Sequence, residues 1–260
     1  MMRGTRVNLI SKLILLLSIF SLNTSFAYTS DTNQNIKKQA RFAPGVVSII
    51  QDHRYIRAHD APVYWKISPN YLPQPTDASC SLTTATMVIN SLQTHQLKYA
   101  YQKLATTDSV ASSIKTDEWK NDVKQGGNGT SLDKLGFYLT EAIKAYHIKP
   151  VKLTVVHVTK DNKVAKQFHQ ALMDGEKTGR TFIIVNFDQY FISGTDHVGH
   201  FSPVGAYDAK TKRVLIMDPD REFFEPYWVP EHLLLKSMEG KDSSVNKNRG
   251  FIIVKLVDSE

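Results

Sequence analysis

His200-Phe201-Ser202-Pro203-Val204-Gly205-Ala206-Tyr207 is a largely apolar run, followed by the polar Asp208-Ala209-Lys210-Thr211-Lys212 and then by Arg213-Val214-Leu215-Ile216-Met217-Asp218. Two extended runs about a short polar loop predict an antiparallel hairpin. Residues that face each other across a hairpin have numbers of nearly constant sum. With the loop centred near Ala209, His200 falls opposite Asp218. An imidazole beside a carboxylate is held in one tautomer, and its protonated form is favoured. Such a pair is the base-and-orienter half of a nucleophilic site. A surface His/Asp pair has the same spacing, and the hairpin alone does not choose between them.

Working outward, Thr181–Phe187 is a continuous apolar, β-branched run suited to a buried strand, and Phe251–Val257 makes a last strand. Upstream the period changes. From Cys80, the residues Leu82, Ala85, Val88, Ile89 and Leu92 recur at helical spacing, with Asp77 or Ser79 as N-cap. Thr130 with Asp133 resembles a capping box, opening a helix whose apolar stripe is Leu132, Leu135, Leu139 and Ile143. A third helix is expected over 161–174, where Val164, Phe168 and Leu172 lie four apart. Residues 106–130 are polar and end in Gly126-Gly127-Asn128-Gly129, which predicts a surface loop. Prolines at 62, 69, 73 and 75 cut residues 46–76 into pieces that predict extended segments and turns. Helices first and a sheet afterwards give an α+β domain.

Composition narrows the class. Arg3, Arg6 and Lys12 precede an apolar run from Leu13 to Phe20, and Ser25-Phe26-Ala27 supplies small residues at a cleavage site. Residues 1–27 therefore read as a secretory signal peptide, with an uncleaved anchor as the alternative, although the run is short for a membrane span. Residues 28–45 read as a flexible arm and 46–260 as the catalytic domain. Export predicts a periplasmic or secreted protein. The net charge of +7 falls to about +4 without the leader. Lysine and arginine form no block interleaved with aromatics, so nucleic acid is not an expected partner. The 260 residues hold a single cysteine, unusual for an exported chain of this size. Cys80 cannot form an internal bridge. It is either an inert buried side chain or a thiol kept free because its thiolate is needed.

Placement bears on that choice, because Cys80 begins its apolar stripe instead of lying within it. The amides and macrodipole at a helix N-terminus favour an anionic sulfur. Gln74, six residues earlier in a proline-flanked turn, is a candidate oxyanion donor together with the Cys80 backbone N–H. Glutamine, then cysteine at a helix start, then histidine and an acid on later strands is the papain-like order.

The residues themselves resemble the phytochelatin synthases, also called glutathione γ-glutamylcysteinyltransferases. The resemblance rests on Gln74 to Leu92, on Val185-Asn186-Phe187, on Gly199 to Tyr207, on Val214 to Asp218, and on Arg221 with Pro226-Tyr227-Trp228-Val229. It implies a papain-like fold in which a helical lobe carrying the nucleophile packs on an antiparallel sheet carrying His and Asp. It implies Cys80 as nucleophile, His200 as general base and acid, Asp218 as its orienter and Gln74 as oxyanion donor. Asn186, Arg221 and Tyr227 are expected near the substrate cleft.

The implied reaction cleaves the Cys–Gly bond of glutathione through a γ-glutamylcysteinyl thioester. Water would then release γ-glutamylcysteine, or another glutathione acting as acceptor would give a phytochelatin. The chain looks like the short bacterial form, for which hydrolysis is expected first and transfer second. No tightly bound cofactor is expected; Cd or Zn would enter as glutathione–thiolate complexes, and a homodimer is left open. Ser81 stands where the family has glycine, which is expected to alter access to the acyl site. Pro219 replaces an apolar residue and is expected to alter the backbone beside Asp218. Two other readings are a general papain-like peptidase or amidase, and a catalytically silent protein that binds glutathione or its metal thiolates.

Overall fold

The computed structural model describes residues 41–93, 101–148 and 151–257. The expected leader and most of the expected arm lie outside the described residues. A seven-stranded sheet organises the domain, in the order β1-β6-β5-β4-β3-β9-β2, with every neighbouring pair antiparallel. Its strands are β1 (Val47–Ser48), β2 (Val151–His157), β3 (Thr181–Asp188), β4 (Gly199–Asp208), β5 (Arg213–Ile216), β6 (Tyr227–Pro230) and β9 (Gly250–Leu256). A separate two-stranded hairpin is made by β7 (Lys241–Asp242) and β8 (Lys247–Asn248).

Period-2 alternation feeds two cores. Phe182, Ile184, Phe201, Leu215 and Trp228 join one face of the sheet to helices α3 (Cys80–Leu92) and α6 (Leu132–Ala145). Ile183, Val185, Phe187, Val214 and Val229 face the other way, onto α7 (Asn162–Thr178) and α9 (Glu231–Met238). Helices on both faces explain why β3 reads as unbroken hydrophobicity: its first seven residues are all buried. The architecture is the expected α+β type with an antiparallel sheet.

Several local expectations give way. The prolines of 46–76 do not prevent helix. Pro62 opens α2 (Pro62–Ile67), and Pro69 sits in the first turn of a 3-10 turn (Ser68–Asn70). In those positions the missing N–H has no intrahelical partner to lose. A further short helix, α1 (Arg54–Ala58), precedes them. The segment 106–130 is no simple loop either. It holds α4 (Thr107–Ser112) and α5 (Glu118–Val123), and Trp119 of α5 is fully buried, stacked on Tyr138 at 4.9 Å. The cap of α6 is Ser131, whose side chain accepts from the Lys134 amide, one residue beyond the expected Thr130. Strand β2, which the sequence did not announce, pairs with β9 along the sheet edge.

The hairpin forms with a shifted register. Asp208 pairs with Arg213 and Tyr207 with Val214, which centres the loop between Lys210 and Thr211. A bulge at Gly205 shifts the pairing again, and β5 ends at Ile216. A Cβ at Gly205 would lie 2.8 Å from Met217 Cγ, so only glycine lets the two chains approach there. His200 consequently has no ladder partner in β5; it pairs with Phe187 of β3, and Asp218 lies just past the strand end.

Candidate active site

Despite the shifted register, the two side chains meet. His200 Nε2 and Asp218 Oδ1 are 2.7 Å apart, with both side chains almost wholly buried. Asp218 is fully enclosed, and its other carboxylate oxygen accepts the Tyr227 hydroxyl at 2.7 Å. The Asp220 amide donates to Oδ1 at 2.9 Å. A buried carboxylate with three donors is held in one orientation. The histidine is held with it. Tyr227, expected at the substrate cleft, is instead fully buried behind the carboxylate, where burial and the Asp218 charge push its hydroxyl well above the ordinary tyrosine range.

With Nε2 on Asp218, Nδ1 is the ring nitrogen left for Cys80, whose side chain acts on the ring to favour its charged form. Burial alone would push the His200 ring down. The charge and hydrogen bond of Asp218, joined by Cys80, outweigh burial and hold it well above the usual histidine value.

Cys80 opens α3, every residue of which is buried. Ser79 is the N-cap by position but makes no side-chain bond to the helix. Its hydroxyl is occupied in a turn with Thr76, accepting at 2.9 Å and donating at 2.8 Å. The first-turn amides of α3 thus receive no cap from Ser79, and such amides are ready donors for a negative charge. One turn further on, Thr84 Oγ1 donates to the Phe201 carbonyl at 3.1 Å, in a wholly buried bond. That bond ties the cysteine helix to the residue following His200.

Two clefts flank the row. A cleft of about 440 Å³ is lined by Cys80, Asn186, His197, Asp242, Arg249 and the turn Gly126–Thr130. A second, of about 540 Å³, is lined by Gln74, Gln189, His200, Asp220, Arg221 and Phe223. Asp77, Gln125, Val198 and Gly199 border both. Gln74 is fixed by its backbone, whose amide donates to the Pro219 carbonyl at 2.8 Å, while its Oε1 is buried without a partner. Pro219 therefore joins the Asp218 turn to the Gln74 turn.

Asn186 is 1% exposed; Nδ2 donates to the His200 carbonyl at 3.3 Å, and Oδ1 has no partner among the described residues. Arg221 lies over the Tyr71 ring and donates to the Tyr71 hydroxyl and the Phe224 carbonyl, so part of its guanidinium is already committed. Ser81 does not reach into the acyl region. Fully buried, it donates to Thr130 Oγ1 at 3.0 Å and accepts from the Trp119 indole at 3.3 Å.

Sequence reasoning missed Arg249 and Asp242. The Arg249 side chain makes no hydrogen bond or ion pair among the described residues, yet it lines the Cys80 cleft. It lies against Gly199, where a Cβ would be 2.2 Å from its Nη1. Glycine before the histidine leaves room for the arginine in this position. A glycine directly ahead of a site histidine was the one available signal, but it does not say what approaches. Among the described residues, no group of three or more His, Cys, Asp or Glu could hold a metal ion.

Fold and site together define an α+β protein with a cysteine–histidine–aspartate row at a helix N-terminus. Residues 53–251 match the family model described as phytochelatin synthase, and the chain belongs to that family. It is similar to glutathione gamma-glutamylcysteinyltransferase 1 of Arabidopsis thaliana, 45% identical over 56 residues, which is 22% of this chain and 12% of the relative. A second similarity is to glutathione gamma-glutamylcysteinyltransferase 1 of Lotus japonicus, 27% identical over 126 residues, 47% of this chain and 25% of that protein. The enzyme of the same name from Schizosaccharomyces pombe is 36% identical over 56 residues, 22% of this chain and 14% of its own. The chain thus spans a quarter or less of the length of these relatives.

Proposed function

We propose that this protein is a papain-like glutathione γ-glutamylcysteinyltransferase in which Cys80, His200 and Asp218 act as one unit. The observation that carries the reading is the site itself: a buried carboxylate on one ring nitrogen of His200, a cysteine at a helix start acting on the same ring, and an open cleft on either side. The Cys80 thiolate attacks the Cys–Gly carbonyl of glutathione. The tetrahedral oxyanion is held by the Cys80 amide and the Gln74 side chain. His200 Nδ1 gives its proton to the leaving glycine, and a γ-glutamylcysteinyl thioester remains on Cys80. The ring then takes a proton from water, giving γ-glutamylcysteine, or from the amine of a second glutathione, giving a phytochelatin. Hydrolysis is the first outcome and transfer the second.

Arg249, with no anionic partner among the described residues, suits a glutathione carboxylate by bidentate pairing. Asn186 Oδ1, buried in the same cleft and without a partner among the described residues, suits a substrate N–H. Arg221 can serve a carboxylate entering the other cleft. Cadmium or zinc enters as part of the substrate, bound to glutathione thiolates. The leader directs the protein to the periplasm or the medium.

Incubation with glutathione, followed by intact-mass analysis and product identification, tests the reading. A thioester adduct on Cys80 and released glycine are expected. Cys80→Ala is expected to lose turnover by roughly 10⁴-fold or more while retaining the fold. Glutathione bound but never cleaved would leave a silent binding protein, and a Cys80→Ser variant as fast as wild type would refute the mechanism.

A further inference from the structure

The hairpin β7–β8 supplies one wall of the Cys80 cleft through Asp242, Ser243 and Ser244, and it leads directly into Arg249. Two ladder pairs, Lys241 with Asn248 and Asp242 with Lys247, hold it together; at its base the Arg249 amide donates to the Gly240 carbonyl and the Val158 amide to the Arg249 carbonyl, both at 2.9 Å, and it is no part of the main sheet. Isolated two-stranded hairpins are marginal in water. Its position therefore depends on what fastens it to the domain.

The fastening is a small polar cluster outside the cleft. Lys247 Nζ donates to Asp133 Oδ2 at 2.6 Å, and His157 Nε2 lies 2.8 Å from Asp133 Oδ1. The other ring nitrogen, Nδ1, lies 2.5 Å from the Asn248 carbonyl oxygen. Asn248 Nδ2 in turn donates to the Val158 carbonyl at 2.6 Å. Asp133 comes from the first turn of α6, His157 from the end of β2, and Lys247 and Asn248 from the hairpin. These two charged side chains, Asp133 and Lys247, are the ion-pair groups at the ring among the described residues.

Both atoms facing the His157 ring are acceptors when Asp133 is ionised. Lys247, helped by His157 and against partial burial, holds the Asp133 carboxyl below its usual range, so it is ionised. The geometry points to a latch: His157, with one ring nitrogen on Asp133 and the other on the Asn248 carbonyl, and Asp133 position the hairpin that presents Arg249 and Asp242 to the substrate. They are positioning residues and touch no substrate. Removing either side chain takes away one end of the tie between the hairpin and the elements α6 and β2. The substrate-binding wall then loses its register, while the Cys80–His200–Asp218 row, built on α3 and β4, is left intact.

This inference rests on the proposed use of the Cys80 cleft for glutathione, and the experiment separates the two. KM and kcat for glutathione are measured for wild type, Asp133→Asn, His157→Ala and His157→Gln, the last keeping one donor. Deuterium exchange of the amides over 241–248 is followed in parallel, with thermal melts to confirm the fold. Asp133→Asn and His157→Ala are expected to raise KM roughly two- to fivefold, as suits loss of a partly exposed ion pair, with kcat little affected and faster exchange in the hairpin. His157→Gln is expected to lie between wild type and His157→Ala. A KM unchanged in His157→Ala, or hairpin exchange unchanged in Asp133→Asn, would overturn the latch. Absence of glutathione turnover by wild type would overturn the proposed function instead, and the exchange measurement would still decide the latch.

Discussion

His200 is pulled in two directions: burial favours its neutral ring, while Asp218 and Cys80 favour the imidazolium and win. A folded-state value raised above the ordinary one means that the charged form persists through neutral pH and is lost only as pH climbs through the raised value. The imidazolium is therefore the form of His200 that this geometry favours, and its alkaline loss sets the upper limb of activity. In Asp218→Asn the shape is kept and the charge removed. The alkaline limb of kcat/KM is expected to move to lower pH, and kcat to fall by about 10²- to 10⁴-fold, as when general acid–base catalysis is disabled. A pH–rate profile of the variant checks this; an unmoved limb would show that Asp218 does not set the ring's charge. Tyr227 belongs to the same scale. The family resemblance put it near the cleft, but the fold gives its hydroxyl to the carboxylate that orients the ring.

At the scale of elements, the site depends on how α3 lies on β4. The helix is buried on all sides, so packing sets its depth, but a close-packed helix can still slide or rotate slightly. The Thr84 hydroxyl bonded to the Phe201 carbonyl fixes that freedom next to both reacting groups. Thr84→Val keeps the shape and removes the bond. Its stability cost is expected to be about 1–3 kcal/mol, the desolvation penalty of an acceptor left unpaired. Its kinetic cost is expected to be larger in proportion, roughly 10-fold or more in kcat with KM little changed, because small misplacements of reacting groups are expensive. Denaturant titration and steady-state kinetics on one preparation separate the two effects; equal losses in kcat and 1/KM would argue against a positioning role. The element scale is also where sequence reasoning was least secure. Prolines at 62 and 69 look like helix breakers until their first-turn positions are known, and Trp119 turns a polar segment into two short helices because the core has room for its ring.

For the molecule as a whole, Asp52 ties the segment after β1 to the sheet. Its carboxylate accepts from Arg54 at 3.0 Å and from Arg213 of β5 at 2.9 Å, and its carbonyl accepts the Trp228 indole at 2.8 Å. The Arg54 hydrogen bond, opposed by burial and reinforced by Arg213, holds the Asp52 carboxyl well below the usual range. A depressed folded value means the stabilisation is complete above the unfolded value, near pH 4, and is lost as pH falls through the folded one. Asp52→Asn is expected to cost about 1–2 kcal/mol at pH 7, roughly 2–8 °C in Tm for a domain of this size. It should cost progressively less below pH 4. Melting curves from pH 2 to 7 test this, and a parallel offset at every pH would mean that charge is not the cause.

How far the sequence reached follows from the range of the forces involved. Local chemistry announced the buried strand over 181–187, a helix opening at Cys80 and the hairpin between Tyr207 and Arg213, because periodicity and turn residues act over a few positions. The lone cysteine and the Gly-His-Phe-Ser-Pro block pointed to the site and the family. Register was beyond it. The hairpin loop is centred beyond Ala209 and a bulge intervenes, so His200 and Asp218 meet through the turn after β5 and not across the ladder. Nor could local pattern show that Arg249 has no acidic partner among the described residues, that Asp133 and His157 meet beside the hairpin, or that Ser81 turns its hydroxyl toward Trp119. The amino-acid order by itself determined which residue types were available and, where the period was clear, which segments were helical or extended. Only tertiary structure decided which polar groups find partners and which face an open cleft, because that is settled by long-range packing and burial.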